Sequence, residues 1–560
     1  MPDWPEHRFH DRIDCVILRR DFVKLATAGL VASSRSSSAP GRRPNIIVMM
    51  ADDMGFSDLG CYGSEIRTPN IDSMAASGVR FTHFRNTARC CPSRSSLLTG
   101  LYAHQAGVGH MVNPRPTLPG YQGDLNRKCV TIAQVLRGAG YQTMMSGKWH
   151  VTPNNARQHN WPLQRGFDRF YGIIAGGASY FQPWTLTRDN NPIDPEGKDY
   201  YLTDAIGRNA ATYIEDAAKK PEPFFLYTAF TSPHWPLHAF ESDIERYRGR
   251  YRDGWDALRA ERHQRQIQMG LVDKKWGLTP RDEEVPAWKD APNREWQQRR
   301  MEVYAAQIDR MDRNVGSILD ALRRTGRDQD TMILFLADNG GCAEELPPGR
   351  INNNSPKQAR DGRPMRPGND PSILPGGEDT FASYGIAWAN ASNTPFRRYK
   401  HWVHEGGIAS PLIARWPGGI DRHGAITHDS GHIIDVMATC VDVAGARYPN
   451  THNGEPILPM EGRSLAPAFH GKQISRSDSF YWEHEGNRAV VDGRWKLVSR
   501  FPNRWELYDL QADRCEMHDL SGSDAARVER MVGRYDRWAD RCDVRPWEEV
   551  RKITATDAGG

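Results

Sequence analysis

The sequence predicts an α/β protein: a large, mixed but mostly parallel sheet with helices on both faces, followed by a small C-terminal antiparallel sheet with one helix. Three observations carry this. Continuous apolar runs of strand length recur, as strands buried on both faces require. Segments with apolar residues at helical spacing separate them. Beyond about residue 470 the pattern turns to short strands bounded by turn residues.

Asn45-Ile46-Ile47-Val48-Met49-Met50 reads as the first buried strand. Thr68-Pro69-Asn70 opens a helix that Gly78 closes, Pro being tolerated in a first turn and Gly suiting a left-handed stop. A helix over Thr131 to Arg137 leads to a strand over Gln142 to Ser146, and Pro223 to Thr228 forms another. Ile308, Met311, Val315, Ile318, Leu319 and Leu322 share one helical face between Ala305 and Thr325, and Met332 to Ala337 follows as a strand. Leu412-Ile413-Ala414 adds one more. A charged, helical insertion is expected between about 240 and 300. The Pro-, Gly- and Asn-rich stretch from Leu346 to Gly385 reads as a functional rim loop or a mobile one. Near the end, Arg488 to Val491, Asp492-Gly493 and Arg494 to Ser499 signal a hairpin, Trp505 to Tyr508 a further strand, and Asp524 to Asp540 a closing helix. The expected divisions are 1–43, 44–469, 470–551 and a tail, 552–560.

Composition bounds the function. With 73 Lys plus Arg against 69 Asp plus Glu, the formal charge of +4 over 560 residues does not by itself imply a nucleic-acid or acidic-membrane surface, and charge is uninformative about partners. No stretch approaches the ~18 uninterrupted apolar residues of a membrane span. Nine Cys, sparse and without paired knuckles, argue against disulfides or structural zinc as the organising constraint. Arg19-Arg20-Asp21-Phe22-Val23-Lys24, a short apolar run to Ala32 and a Ser-rich stretch follow the order of a twin-arginine export signal. That reading makes the protein periplasmic or secreted; the alternative is a basic extension on a cytoplasmic protein.

The chemistry gathers at strand ends. Asn45 to Met50 runs into Asp52-Asp53, and Met332 to Ala337 into Asp338-Asn339. Ligands collect at the carboxyl ends of strands in open α/β sheets, so the two acidic pairs point to one crevice. Three carboxylates that close raise one another's pKa unless a cation sits among them, and oxygen donors suit Ca²⁺ or Mg²⁺ rather than zinc. Taken singly, each pair also fits a helix cap or a turn. The third element is Cys90-Cys91-Pro92-Ser93-Arg94-Ser95-Ser96-Leu97-Leu98-Thr99-Gly100. Pro92 sits where a first helical residue should, which puts Cys90 just ahead of a helix N-terminus, where anions are favoured.

Cys-x-Pro-Ser-Arg followed by x-x-Leu-Leu-Thr-Gly resembles the signature of the type I sulfatases, in which the first Cys is oxidised to Cα-formylglycine. From about Pro44 to the C-terminal helix the rest of the chain resembles that family too, in Asp52-Asp53, Gly147-Lys148-Trp149-His150, Pro233-His234-Trp235, Asp338-Asn339-Gly340, and Lys400 ahead of Glu405-Gly406-Gly407. The stretch from Tyr247-Arg248-Gly249-Arg250-Tyr251 to Gly270-Leu271-Val272 looks most like the large bacterial arylsulfatases.

The resemblance implies an alkaline-phosphatase-like fold and a sulfuric ester hydrolase. It implies that Asp52, Asp53, Asp338 and Asn339, with the modified Cys90, hold Ca²⁺ in preference to Mg²⁺. Arg94 and Lys148 would then orient the formylglycine hydrate, and His150 would take a proton from its second hydroxyl. Asp338 would help deprotonate the attacking hydroxyl, while His234 and Lys400 would contact the sulfate and assist the leaving group. A hydrated aldehyde suits the task because its second hydroxyl can expel sulfate by reforming the aldehyde, where a plain Ser or Cys would stay sulfated. The implied partners are a formylglycine-generating enzyme and a small-molecule or saccharide sulfate ester. Aryl sulfate is the first expectation, with Tyr180, Phe181 and Trp184 as an aromatic wall or, at that spacing, as core. A carbohydrate sulfate, or a phosphonate or phosphate monoester on the same fold, is the alternative. Cys91 departs from the pattern only at its variable position, and Cys90 alone has Pro two and Arg four residues later.

Overall fold

A computed structural model describes residues 43–557 apart from 113–116, 154–157 and 351–354. The expected export segment lies outside the described residues. The strands, in chain order, are β1 (Asn45–Asp52), β2 (Val79–Arg85), β3 (Gln142–Lys148), β4 (Arg169–Ile173), β5 (Leu186–Arg188), β6 (Asn191–Pro192), β7 (Phe224–Pro233), β8 (Thr331–Ala337), the short pair β9 (Arg366–Pro367) and β10 (Thr380–Phe381), then β11 (Leu412–Arg415) and β12 (Ala425–His432). All but β9 and β10 form one ten-stranded sheet in the order β12-β2-β11-β8-β1-β7-β3-β4-β5-β6. β8, β1, β7, β3 and β4 run parallel. β11 is antiparallel to both its neighbours, β8 and β2.

Alternation along the central strands explains the two helical layers. Ile47 and Met49 of β1, with Ile333 and Phe335 of β8, share a buried cluster with Ile308, Met311, Val315 and Leu322 of the long helix Arg294–Arg324. Ile46, Val48 and Met50, with Leu334 and Leu336, face the opposite cluster, which holds Leu97, Leu98, Ile132, Leu136 and Met437. Every residue of β1 and β8 is buried, so these strands read as unbroken apolar runs.

The expected elements appear with shifted bounds. The long helix starts at Arg294, well before Ala305, because its first turns bind a loop rather than the sheet: Trp296 Nε1 donates to the Ile373 carbonyl and Arg300 to that of Ser383. The rim segment between 346 and 385 is thereby tied to a rigid helix. The helix Ile132–Gly138 begins on a capping box made by Thr131 and Gln134. The helix Cys90–Thr99 takes Cys90 as its first residue, not as the one ahead of it; Arg89 is the extended cap, and Ser93 N–H already bonds the Arg89 carbonyl. Strands β2, β4 and β12, which alternate or carry polar residues, were not expected. The described cysteines are all free thiols, and no helix among the described residues is long and apolar enough to cross a membrane.

A two-residue ladder, β13 (Thr451–His452) with β14 (Glu455–Pro456), precedes the second sheet. That sheet is antiparallel: β15 (Phe480–His484), β16 (Asn487–Asp492), β17 (Trp495–Ser499) and β18 (Glu506–Asp509), in that order. Asp492 still pairs with Trp495, so the hairpin turns at Gly493-Arg494, one residue beyond the Asp-Gly expectation. The helix Ala525–Cys542 is capped by Asp524, and a last helix, Trp547–Asp557, runs through position 551.

One carboxylate joins the two sheets. Glu405 is fully buried and accepts from Arg85 of β2 at 2.8 and 3.2 Å, from Lys496 of β17 at 3.1 Å and from Arg514 at 3.0 Å. Glu516 supplies the second negative charge, 2.7 Å from Lys496 and accepting from the Glu405 N–H. Burial alone would push the Glu405 carboxyl up, but Arg85, Lys496 and Arg514 hold it well below the usual carboxylate range. The two glycines after it permit close approach: a Cβ on Gly406 would stand 2.2 Å from the Arg398 carbonyl oxygen, and one on Gly407 1.8 Å from that of Trp402. Glu405→Gln would leave buried cations under-compensated, and we expect a loss of about 3–5 kcal/mol in stability by urea unfolding, with the transition splitting if the second sheet detaches first.

Candidate active site

β8, β1, β7 and β3 lie side by side and end on the same edge of the sheet, each delivering polar residues beyond it. β1 ends in Asp52 and leads to Asp53; β8 leads to Asp338 and Asn339; β7 leads to His234; β3 ends in Lys148, two residues before His150. The helix Cys90–Thr99 follows β2 and brings Cys90 and Arg94. Lys400 comes from the segment before β11, whose reversed direction starts it at this same edge.

These ten residues form one buried network. Lys148 Nζ donates to Asp52 Oδ2 at 2.6 Å. Arg94 donates to Asp338 Oδ2 at 2.8 Å and to the Lys148 carbonyl at 3.1 Å, and stands 3.5 Å from Asp52. Asp53 N–H donates to Asp338 Oδ1 at 3.2 Å. The Asp53 carboxylate accepts from Asn339 Nδ2 at 2.6 Å and Lys400 Nζ at 2.9 Å. His150 groups with Cys90 and Cys91, its Nε2 3.1 Å from Cys91 Sγ. Arg94, Lys148, Asp338 and Asn339 are fully enclosed, whereas Cys90, His150, Lys400 and His234 lie on the outer side at 2–6% exposure. Asp53 and His150 take left-handed backbone (φ 64° and 53°), a local cost of order 1–3 kcal/mol each that the surrounding contacts hold in place.

The electrostatics are those of a site built around a cation. Burial first, then the neighbouring Asp52, pushes the Asp338 carboxyl up to about 8, and burial also raises Asp52. Asp53 goes the other way: burial opposes ionisation, but Lys400 and His234 hold it low. Asp52 Oδ1 and Asn339 Oδ1 are buried without a hydrogen-bond partner among the described residues, each a cost of about 1–3 kcal/mol unless something is coordinated there. His234 adds a third sign. Its Nδ1 donates to the Trp235 carbonyl at 2.6 Å, which leaves the Nε2 lone pair directed at Asp53 Oδ2, 3.4 Å away. Two electron-rich atoms facing each other at that distance need a cation or a proton between them. Asp52, Asp53 and His234 thus offer donor atoms within 4.8 Å of one another, a fit to a divalent ion, with oxygens favouring a hard one. Burial lowers His150 and His234 to about 4, so both are neutral near pH 7.

Sequence reading missed the outer ring. Glu344 accepts from Arg89 at 2.9 Å and from Trp235 Nε1 at 2.8 Å and stands 3.9 Å from Lys400, so it steadies both the cap of the Cys90 helix and the lysine. No spacing flags a glutamate five residues past a strand-end pair. The aromatic wall is corrected in part: Tyr180 and Phe181 are core, Tyr180 donating to the Thr231 and His234 carbonyls from beneath, and only Trp184 is substantially exposed.

Comparison with known proteins agrees with this architecture. The sulfatase family profile matches residues 44–446, and a profile described as N-sulphoglucosamine sulphohydrolase, C-terminal, matches 397–533. An uncharacterized sulfatase of Schizosaccharomyces pombe is 32% identical over 493 residues, covering 83% of this chain and 86% of that protein. The arylsulfatase of Klebsiella aerogenes is 32% identical over 480 residues, 80% of this chain and 97% of its own length. The solved structure of Ps i-CgsB in complex with k-i-k-neocarrahexaose superposes with a TM-score of 0.64 at 25% identity, over 89% of this chain and 93% of the other. With its alkaline-phosphatase-like mixed sheet, its second antiparallel sheet and a buried cluster fit for a divalent ion at the shared strand edge, the chain belongs to the type I sulfatase family and is a hydrolase of that family.

Proposed function

We propose that this chain hydrolyses sulfate monoesters carried on saccharides, using Cys90 oxidised to Cα-formylglycine and Ca²⁺ held by Asp52, Asp53, Asp338, Asn339 and the modified Cys90. The observation that carries the reading is charge balance. Asp52, Asp53 and Asp338 are matched one for one by Arg94, Lys148 and Lys400 in an enclosed space. A divalent ion added there leaves a positive site that suits an anionic ester. When present, the ion and the oxidised side chain supply Lewis-acid polarisation of the sulfate and an aldehyde-hydrate nucleophile.

The chain's own residues do the rest. Arg94 and Lys148 are locked by Asp338 and Asp52 and hold negative charge at position 90, helped by the start of the Cys90–Thr99 helix. His150 is neutral, and its Nε2, 3.1 Å from Cys91 Sγ and grouped with Cys90, is the ring nitrogen that can receive a proton beside position 90. Lys400 and His234 stand on the outer side, where the ester oxygen leaves, and offer it positive charge and, once His234 is protonated, a proton. Asp338, held by Arg94 at 2.8 Å beside the cation site, would share the proton of the attacking hydroxyl.

Support for a sugar comes from the rim. Arg89, Glu344, His401 and Glu485 present charge and hydrogen-bonding groups, and partly buried Trp235 and Trp402 add flat faces. Of the aromatic wall that an aryl group would want, Tyr180 and Phe181 are core and Trp184 alone is exposed. The oligosaccharide bound in the Ps i-CgsB complex agrees with this choice. Aryl sulfate is the second reading, favoured by the 32% identity to the Klebsiella aerogenes enzyme. We further propose maturation by a formylglycine-generating enzyme on the unfolded chain and export through the Arg19-Arg20 segment to the periplasm or beyond.

Three measurements test this. Cys90→Ala, in a protein whose wild-type modification has been verified by mass spectrometry, is expected to abolish sulfate release while changing unfolding free energy by no more than about 1 kcal/mol; retained turnover rejects the mechanism. Adding Ca²⁺ to chelator-stripped protein at 100 times its Kd should raise stability by about 2.7 kcal/mol, and Asp53→Asn should cancel the gain. In a panel of sulfated saccharides, aryl sulfates and aryl phosphonates, kcat/KM should be highest for a saccharide; an aryl phosphonate ahead of every sulfate would reassign the reaction.

A further inference from the structure

A second cluster stands apart from the acidic pocket, where the second sheet meets the catalytic domain. His484 ends β15, Glu485 follows it in the turn to β16, and His110 and His401 reach over from the catalytic domain. His110 Nε2 lies 2.7 Å from Glu485 Oε1, and His484 Nε2 3.7 Å from the same oxygen. The donor atoms of His110, His484 and Glu485 all fall within 4.8 Å of one another. His484 is completely buried, its ring stacked on that of His110 at 5.4 Å, and neither of its nitrogens has a hydrogen-bond partner among the described residues. A phenylalanine would fill that slot without two stranded nitrogens. Burial keeps the His484 ring neutral, the form that binds metals.

We propose that His110, His484 and Glu485 bind a transition-metal ion, Zn²⁺ by their chemistry, at a site distinct from the Asp52–Asp53–Asp338 pocket. Two imidazoles and one carboxylate suit Zn²⁺ rather than the hard ion of the acidic pocket. Around tetrahedral Zn²⁺ the donor atoms stand about 3.3 Å apart, so the two distances to Glu485, 2.7 and 3.7 Å, need shifts of about half an ångström, and the His110–His484 pair, within 4.8 Å, closes by at most about 1.5 Å. The fourth position is left to water, since Glu485 is about a quarter exposed.

The surroundings orient these ligands. Asn487 Nδ2 donates to His401 Nε2 at 3.4 Å, which places the ring proton on Nδ1, 3.3 Å from the other Glu485 oxygen. A polar ring nitrogen this close to the outer oxygen of a ligating carboxylate is the kind of neighbour that steadies a metal ligand. The turn is also chosen for its side chain: Glu485 and Gly486 both have positive φ (51° and 80°), and the first of those positions ordinarily takes Asn, Asp or Gly. The ion would clamp the second sheet to the segment that carries His401 and, one residue before it, Lys400.

The test uses the full-length protein, stripped with a chelator, returned to excess Ca²⁺ and titrated with Zn²⁺ by calorimetry, with Co²⁺ as a spectroscopic substitute. Wild type is expected to take up one equivalent of Zn²⁺ through this site and to show the visible bands of tetrahedral Co²⁺. His484→Phe and Glu485→Gln should each weaken that uptake about 100-fold or more, and His401→Ala about 10–100-fold. Because His484→Phe removes only unpartnered nitrogens, its metal-free melting curve should match wild type. No zinc uptake by wild type would overturn the proposal, as would uptake unchanged in both His484→Phe and Glu485→Gln, or uptake lost only in Asp53→Asn.

Discussion

The structure depends on the pairing of three buried carboxylates, Asp52, Asp53 and Asp338, with Arg94, Lys148 and Lys400 at the carboxyl edge of the main sheet. Removing one member of such a set strands a partner in low dielectric, at a cost of several kcal/mol. Each charge therefore constrains the element that carries it. Asp52 and Asp338 lock β1 against β8 at their ends, Arg94 fixes the helix that begins at Cys90, and Lys400 ties in the segment before β11. A buried space that holds this many cations has to take the opposite charge from its own walls. Here Asp52, which balances Lys148, also leaves an oxygen without a partner among the described residues, as does the neighbouring Asn339 amide, and both fit a divalent ion.

Sheet order makes this pairing attainable. Parallel strands end on one edge, so β8, β1, β7 and β3 each deliver a polar residue to the same place without long loops. The reversal at β11, beside β8, has the complementary effect: its start, not its end, lies at that edge, and so the segment before it can supply Lys400. Farther from the pocket, Glu405 repeats the logic of buried charge. It gathers Arg85, Lys496 and Arg514 and so joins the second sheet to the first. The conspicuous glutamate of the Glu405-Gly406-Gly407 stretch is thus a fold residue, and its glycines are required by the carbonyl oxygens they pack against.

The mouth is shaped by both parts of the chain. Arg89, Glu344 and Lys400 belong to the catalytic domain, whereas Glu485 arrives from the β15–β16 turn. The second sheet therefore stands beside the segment that carries Lys400 and His401 as well as against the first sheet.

Read alone, the sequence settles the strands that are buried on both faces, because an unbroken apolar run such as Asn45 to Met50 has few other places to go, and it brings Asp52-Asp53 and Asp338-Asn339 to one crevice, because strand ends in a parallel sheet converge; Lys148, His150, His234 and Lys400 were legible only through the family resemblance. β2 and β12 escaped it: their polar and alternating residues, such as His83 and Asp429, belong to strands toward one side of the sheet, where apolar continuity is not demanded. Only the tertiary structure decided which charges meet. Glu344 lies 255 residues from Arg89 and Glu405 lies 320 from Arg85, and neither their spacing nor their neighbours in the chain record a contact that exists through the crossing of β11 and the docking of the second sheet. The same holds for His110, His401 and His484, three histidines that look ordinary in the sequence and become a cluster because two sheets meet there.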